Sequence, residues 1–239
     1  MDFLIIAFSY VLVVVPLALL HFLRIDIGKE IAINSIRALL QLVALGFVLG
    51  FLFEIENHYY YILVVIFMLS YSAHIANKRT PFSFKFAFLS LGLATLIILS
   101  ILLIFGIISL KPNEFIPITG MIIGNALNSY TLTIDRLKKE ITLQKDVIEA
   151  LVSIGASYSE ALKIMQKDAI KSSLIPVNNM LQTIGIVAIP GITTGMLLAG
   201  ADPLEAVGYQ IVIIYMLVSI NLFSSLFGSY FFVNQRGRG

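Results

Sequence analysis

Few residues in this chain carry chemistry, and most of those sit inside apolar stretches. Asn125, Asn128 and Thr131 follow at i, i+3 and i+6, a spacing that puts them on one face of a helix. Asn178, Asn179, Gln182 and Thr183 form a second polar cluster, while Gln210 and Gln41 stand singly in other apolar runs. Hydrocarbon solvates amides and hydroxyls poorly, so such residues either line a polar route or hydrogen-bond between helices. Pro190-Gly191 interrupts the run that holds the second cluster. Proline removes a backbone donor, and the freed carbonyls then need other partners or water in a cavity. Asn side chains and broken-helix carbonyls offer hard oxygen ligands to a cation, yet nothing in the spacing demands one. His21, His58 and His74 are scattered and make no metal-ligand spacing, so no metal site is assigned. The chain has no cysteine, which excludes disulfides, thiolate metal sites and cysteine nucleophiles.

The elements that hold these residues are long and apolar. Of 239 residues, 59% are hydrophobic and 13% charged, about half the charge of an ordinary soluble domain. A membrane-spanning helix needs roughly 20 mainly apolar residues. Seven stretches are free of Asp, Glu, Lys and Arg: Phe3–Phe22, Ala38–Phe53, Tyr59–Asn77, Phe86–Leu110, Phe115–Ile134, Ser172–Ala201 and Ala206–Gln235. The fold expected is all-α, a polytopic membrane protein with seven transmembrane helices and one permease domain over residues 1–239. The first stretch lacks a basic flank and a small-x-small cleavage site, so it reads as a retained span rather than a signal peptide. The short mixed stretch Gly28 to Ile36 reads as a segment lying along the membrane before the second span.

Lys and Arg collect in cytoplasmic loops. Every basic residue except Lys111 falls in alternate loops or the C-terminal tail, which puts the N-terminus outside and the C-terminus inside. The segment Asp135 to Lys171 is then cytoplasmic. Leu137, Ile141, Ile148 and Leu151 recur there at helical spacing, and Gly155 can end that helix in the left-handed conformation. Ser157 and Glu160 make a capping box that starts another helix with the apolar stripe Ala161, Leu162, Met165 and Ala169. The segment therefore reads as a helical elbow.

Three spans carry G-x-x-x-G, at Gly46/Gly50, Gly120/Gly124 and Gly191/Gly195, a spacing that lets helix backbones approach closely in lipid. No Asp or Glu lies at mid-span, which argues against a buried carboxylate proton relay. No G-x-x-x-x-G-K-[ST] occurs, so the chain is not expected to hydrolyse ATP or to act as an enzyme, and no cofactor is expected.

Two blocks resemble the FetB-type (YbbM, UPF0014) permeases, membrane subunits of ABC exporters. One runs from Gly120 to Asn128 and on to Asp135-Arg136-Leu137. The other runs from Ile175-Pro176 through Gly185 to Gly191, Thr194-Gly195 and Leu198 to Gly200, to Pro203 to Val207 and Tyr209-Gln210. The likeness extends to Arg37 to Leu42 and over nearly the whole chain. It implies a separate FetA-like ABC ATPase subunit, an exporter of iron or another small solute, and the cell (inner) membrane, with no nucleic acid as partner. Glu149-Ala150-Leu151 followed by Gly155 partly matches the E-A-A-x-x-x-G loop by which importer permeases dock on their ATPase. On this resemblance Glu149, Gly155, Ser157 and Glu160 are ATPase-coupling residues. Asn125, Asn128, Thr131, Asn178, Asn179, Gln182, Pro190, Gly191 and Gln210 are substrate-pathway residues, and two permease copies in the lipid bilayer pair with two ATPases. The rival expectation is a self-sufficient secondary transporter or channel. A retinal protein is disfavoured because no Lys lies between Ala206 and Gln235.

Overall fold

The computed structural model describes residues 8–53 and 58–236, and they form helices joined by short turns. The start of the first predicted span, Glu54, Glu56 and Arg238 lie outside the described residues. The chain divides into two units, Met1–Glu56 and Asn57–Gly239, each described by itself.

In the first unit α1 (Val11–Phe22) packs against α2 (Gly28–Phe53). A left-handed residue, Arg24 at φ 54, turns the chain between them, and the Tyr10 hydroxyl meets the Ser35 hydroxyl at 3.3 Å. The mixed segment 28–36 is the opening of one unbroken helix, not a separate stretch lying before the second span. After Gly28 the segment has no Pro or Gly to stop it, so the ladder continues into the apolar run.

The second unit holds α3 (His58–Arg79), α4 (Phe84–Ile104), α5 (Pro112–Leu143), α6 (Lys145–Ser153), α7 (Tyr158–Ala161), α8 (Lys163–Ser173), α9 (Ile175–Thr183), α10 (Gly191–Leu198) and α11 (Pro203–Arg236). Pro112 opens α5, where the missing N–H costs nothing, and Glu114 complements the positive end of the helix. At 32 residues α5 is about 48 Å long, well beyond the ~30 Å of hydrocarbon. Its last turns are charged, with ion pairs Lys139–Asp135 at 2.7 Å and Arg136–Glu140 at 3.6 Å.

Contacts fix the helix directions. Tyr61 stacks near Phe115 with ring centroids 6.1 Å apart, so α3 and α5 start side by side. Phe82 meets Phe232 at 4.6 Å and Phe86 meets Phe231 at 5.6 Å, which joins the start of α4 to the end of α11. Ser129 of α5 bonds Asn221 of α11, while Gln166, Ser173 and Thr193 bond Ser229, Ser225 and Gln210 in reverse order. Hence α3, α5 and α11 run one way, and α4 and the α8–α10 series run the other. Lys138 Nζ donates to the Pro81 carbonyl at 2.6 Å, tying the α3–α4 turn to the overhang of α5.

Four helices among the described residues are long and apolar enough to cross a membrane: Gly28–Gly50, Tyr59–Arg79, Phe84–Ile104 and Pro203–Gln235. The fifth predicted span lies within α5, whose asparagines and hydroxyls dilute its apolar character. The sixth is divided among the end of α8, α9 and α10. In the second unit large apolar side chains such as Phe67, Leu96 and Ile104 face outward, as lipid-facing side chains do. The centre is filled by Leu91, Ile122, Tyr130, Ile134, Leu137 and Ile220 together with small Ser, Thr and Ala residues, which let the helices approach closely.

Of the glycines singled out by spacing, only Gly120 in the second unit faces a close neighbour, with Met68 3.8 Å from where its Cβ would lie; Gly124, Gly191 and Gly195 face nothing within 4 Å. The tight approach is at Gly228, where a Cβ would come within 2.6 Å of the buried Tyr130 ring. Gly228→Ala is expected to destabilise the fold by about 1–3 kcal/mol, the usual cost of overpacking. Gly124→Ala should be neutral or stabilising. Thermal unfolding in detergent reads both, and equal midpoints for the two variants would contradict this packing.

Candidate functional site

A cavity of about 200 Å³ lies between α5, the α8–α9 junction and α11. Asn125, Asn128, Ser129 and Leu132 of α5 line one side; Ser173, Pro176, Val177 and Met180 line another; Leu217 and Asn221 of α11 line a third. Asn125 donates its amide N–H to the Met121 carbonyl at 2.9 Å, which anchors the side chain and leaves its oxygen available. Ser129 donates to Asn221 Oδ1 at 2.6 Å. The polar lining is amide and hydroxyl, with no ionised side chain among these residues.

The structure brings Asn125 and Asn128 together here. It does not bring in the other pathway residues predicted from spacing. Thr131 donates back to its own helix, to the Leu127 carbonyl at 2.8 Å. Asn178, Asn179 and Gln182 lie on the exposed side of α9. Gln210 is buried, 7% exposed, and accepts from the Thr193 hydroxyl at 3.3 Å, so it ties α10 to α11. Spacing missed Ser129, Ser173 and Asn221. A signal was present: Asn221, Ser225 and Ser229 recur every fourth residue, hence on one face of α11.

Pro190 and Gly191 sit at a break, as their types require, but the break is wider than a proline kink. Residues 184–190 leave the helix altogether. Gly185 turns left-handed at φ +80, and the Thr183 carbonyl accepts from the amides of Ile186, Val187 and Ala188. Pro190 is the N-cap of α10, fixed near φ −64, and Gly191 begins that helix. Ile186 is 90% exposed in this turn. The interhelix bonds on either side, Ser173–Ser225 and Thr193–Gln210, place the break opposite the middle of α11.

The elbow forms as its residues dictate. The Gly155 amide donates to the Val152 carbonyl and the Ala156 amide to Leu151, a Schellman ending with Gly155 at φ +100. Glu160 N–H donates to Ser157 Oγ at 3.3 Å, and Glu160 accepts from the Ser157 amide at 2.9 Å, so the capping box is complete. The Ser157 hydroxyl also donates to the same carboxylate at 2.6 Å. These bonds hold the Glu160 carboxyl below the ordinary glutamate range, first through the hydroxyl, then the amide, with Lys163 adding a smaller pull. Ala161, Leu162, Met165 and Ala169 are all buried, while Ile154 at the bend is 81% exposed. The first elbow helix is divided at Gln144 between α5 and α6, and the second, expected as one helix, is divided at Leu162 between α7 and α8. Glu149 is exposed and pairs with Lys145 at 3.5 Å.

Apolar helices running in alternating directions, with a polar seam inside, define a multi-pass α-helical membrane protein. The model of the family described as "Uncharacterised protein family (UPF0014)" matches residues 3–236, and the chain belongs to that family. It is 32% identical over 227 residues to the "Probable iron export permease protein FetB" of Escherichia coli (strain K12), covering 94% of this chain and 88% of that one. It is 34% identical to the "UPF0014 membrane protein YjkA" of Bacillus subtilis (strain 168), covering 90% and 87%. The "Protein ALUMINUM SENSITIVE 3" of Arabidopsis thaliana is 33% identical over 94% of this chain and 83% of its own. No solved structure matches the chain.

A carboxyl held low in the folded state stabilises it at pH values above the unfolded pKa, and the gain is lost as pH falls through the lowered folded value. The elbow cap should therefore persist through neutral and mildly acidic pH and open only below the ordinary glutamate range. Carboxyl-carbon NMR of Glu160 against pH checks this. In Ser157→Ala the midpoint should rise toward the ordinary value, and an unchanged midpoint would contradict the cap.

Proposed function

We propose that this chain is the membrane-spanning permease subunit of an ABC exporter, with iron as its cargo and ATP hydrolysed by a separate FetA-like subunit. The observation that carries the reading is the near-full-length similarity to a protein named as an iron export permease. In this reading the chain crosses the cell (inner) membrane seven times, N-terminus outside and C-terminus inside, and two copies pair with two ATPases. Lys78, Arg79, Lys85, Lys138 and Lys145 gather at one end of the alternating helices of the second unit, which supports that end as the cytoplasmic one.

The elbow then faces the ATPase. Its tip presents exposed Ile154 beside the rigid Gly155 turn and the Ser157–Glu160 cap, a shape suited to sit in a groove. Closure of the ATPases pushes the elbow, and α8 passes the motion along α5 and α11, against which it packs. The lining of the cavity, Asn125, Asn128 and Asn221, gives the cargo oxygen and amide partners within the bundle. The break at 184–190 supports a pathway too, because non-helical backbone at mid-membrane depth needs protein or a water-filled cavity around it.

The test is reconstitution of the permease with its cognate ATPase in liposomes. Iron efflux is expected only with both subunits and ATP. Glu149→Ala, Glu160→Ala and Gly155→Ala should keep the fold yet uncouple ATP hydrolysis from efflux. Gly155→Ala should also cost about 1–2 kcal/mol through its left-handed turn. Efflux that persists without the ATPase would favour a self-sufficient transporter or channel instead.

A further inference from the structure

The span that runs through α9 and α10 is covered on one side. Val177 is the buried residue of α9, and Thr193 that of α10. On the side of α9 away from Val177, Ile175, Asn178, Asn179 and Gln182 are exposed, at the spacing of one helix face. On the side of α10 away from Thr193, the exposed residues are Gly191, Thr194, Gly195 and Leu198, again one face. Nothing lies within 4 Å of where a Cβ would stand on either glycine.

These outward faces do not suit lipid. Ser173 bonds Ser225 and Thr193 bonds Gln210, so α9 lies opposite the central part of α11. Hydrocarbon solvates an amide poorly at that depth. Neighbouring polar side chains have partners: Asn125 and Thr131 bond their own helix, and Ser129 bonds Asn221. The side chains of Asn178, Asn179 and Gln182 make no hydrogen bond among the described residues. The break at 184–190 adds a second requirement, because non-helical backbone inside a membrane needs protein or enclosed water around it. Here residues 185–189 are exposed, Ile186 to 90%.

Both faces are their own complement. An amide carries donor and acceptor together, so a stripe of amides can meet its own copy across a two-fold axis with donors opposite acceptors. A Gly-x-x-x-Gly face lets a second such face approach closely in lipid. By contrast, α3 and α4 turn Phe67, Leu96 and Ile104 outward, side chains that lipid accepts.

We propose that the outward face of α9 and α10 is where two copies of this chain meet, with Asn178, Asn179 and Gln182 of each opposite those of the other. The inference rests on the two-copy exporter reading and assigns the face which that reading leaves open. It also gives the break protein cover from the second copy.

The chain has no cysteine, so a disulfide in a single-cysteine variant can only join two copies. Asn178→Cys, Asn179→Cys, Gln182→Cys and Thr194→Cys are made one at a time, with Phe67→Cys and Leu96→Cys as controls on other exposed faces. Each is oxidised in membranes with the ATPase co-produced, and non-reducing gels read the result. At least one α9 position is expected to give a dimer band, and the controls none. Asn178→Leu with Gln182→Leu should weaken self-association of the solubilised permease by about threefold for each hydrogen bond lost. Equal bands at the controls, or no band at any of the four positions in an assembled complex, would overturn the inference. So would a link that forms only to a second cysteine elsewhere in the same chain, or ready labelling of Gln182→Cys by a water-soluble maleimide without any link, since another segment or water would then cover the face. Efflux that fails while the links form would bring down the exporter reading and leave this interface standing.

Discussion

In hydrocarbon a polar side chain has no water to fall back on; many in the second unit bond a carbonyl of their own helix, and α11 holds one partner of four side-chain pairs that cross between helices. Gln210, Asn221, Ser225 and Ser229 share one face of that helix and receive Thr193, Ser129, Ser173 and Gln166. Three of these bonds, from Gln166, Ser173 and Thr193, align α8 and the broken span along α11, and Ser129 ties α5 to the same face. Each is weak, about 0.6 kcal/mol on average in such settings, so what they determine is alignment more than stability. The aromatic pairs Phe82–Phe232 and Phe86–Phe231, and the Tyr130 ring lying over Gly228, hold the same helix against α4 and α5.

In the proposed coupling, that alignment is what would link the elbow to the middle of the second unit. The elbow is stiff at its bend because a Schellman ending and a capping box meet across Ala156. Ala161, Leu162, Met165 and Ala169, which run from the end of α7 into α8, are buried against the bundle. The cavity lies just beyond, where α8 gives way to α9 at Leu174 and Pro176. Under that proposal a displacement of the elbow would reach the cavity walls first, because Ser173, Val177 and Met180 lie on α8 and α9, which continue from the elbow, and Asn125, Asn128 and Asn221 lie on α5 and α11.

Residues 184–190 leave the helix, and their internal bonding limits the number of backbone groups left unpaired. One carbonyl, Thr183, accepts three amides, and Gly185 takes the left-handed turn that a side chain would strain. Ile186 and Val187 remain exposed in the second unit, so the turn meets its surroundings with apolar side chains.

Local features were legible because local physics makes them. Gly155, Ser157 and Glu160 act within a few residues of one another, and the apolar stripe of α8 follows from helical spacing alone. The helical class, the long apolar stretches and the interruption before Gly191 were legible for the same reason. Spacing placed Asn125, Asn128 and Thr131 on one face, yet only the fold shows that the face turns two of them into a cavity while the third bonds its own helix. Gln210 and Asn221 are both amides in one apolar run, and the distant neighbours Thr193 and Ser129 decide that one is a tie and the other also a wall. The G-x-x-x-G motifs marked glycines that could pack closely, but the close contact fell at Gly228, which has no such motif. The chain by itself determined what its neighbours along the backbone can enforce: helix, bend, cap and break. Which polar residues meet across the bundle was decided only when helices far apart in sequence came into register, since a contact between residues 17 to 92 positions apart depends on every turn between them.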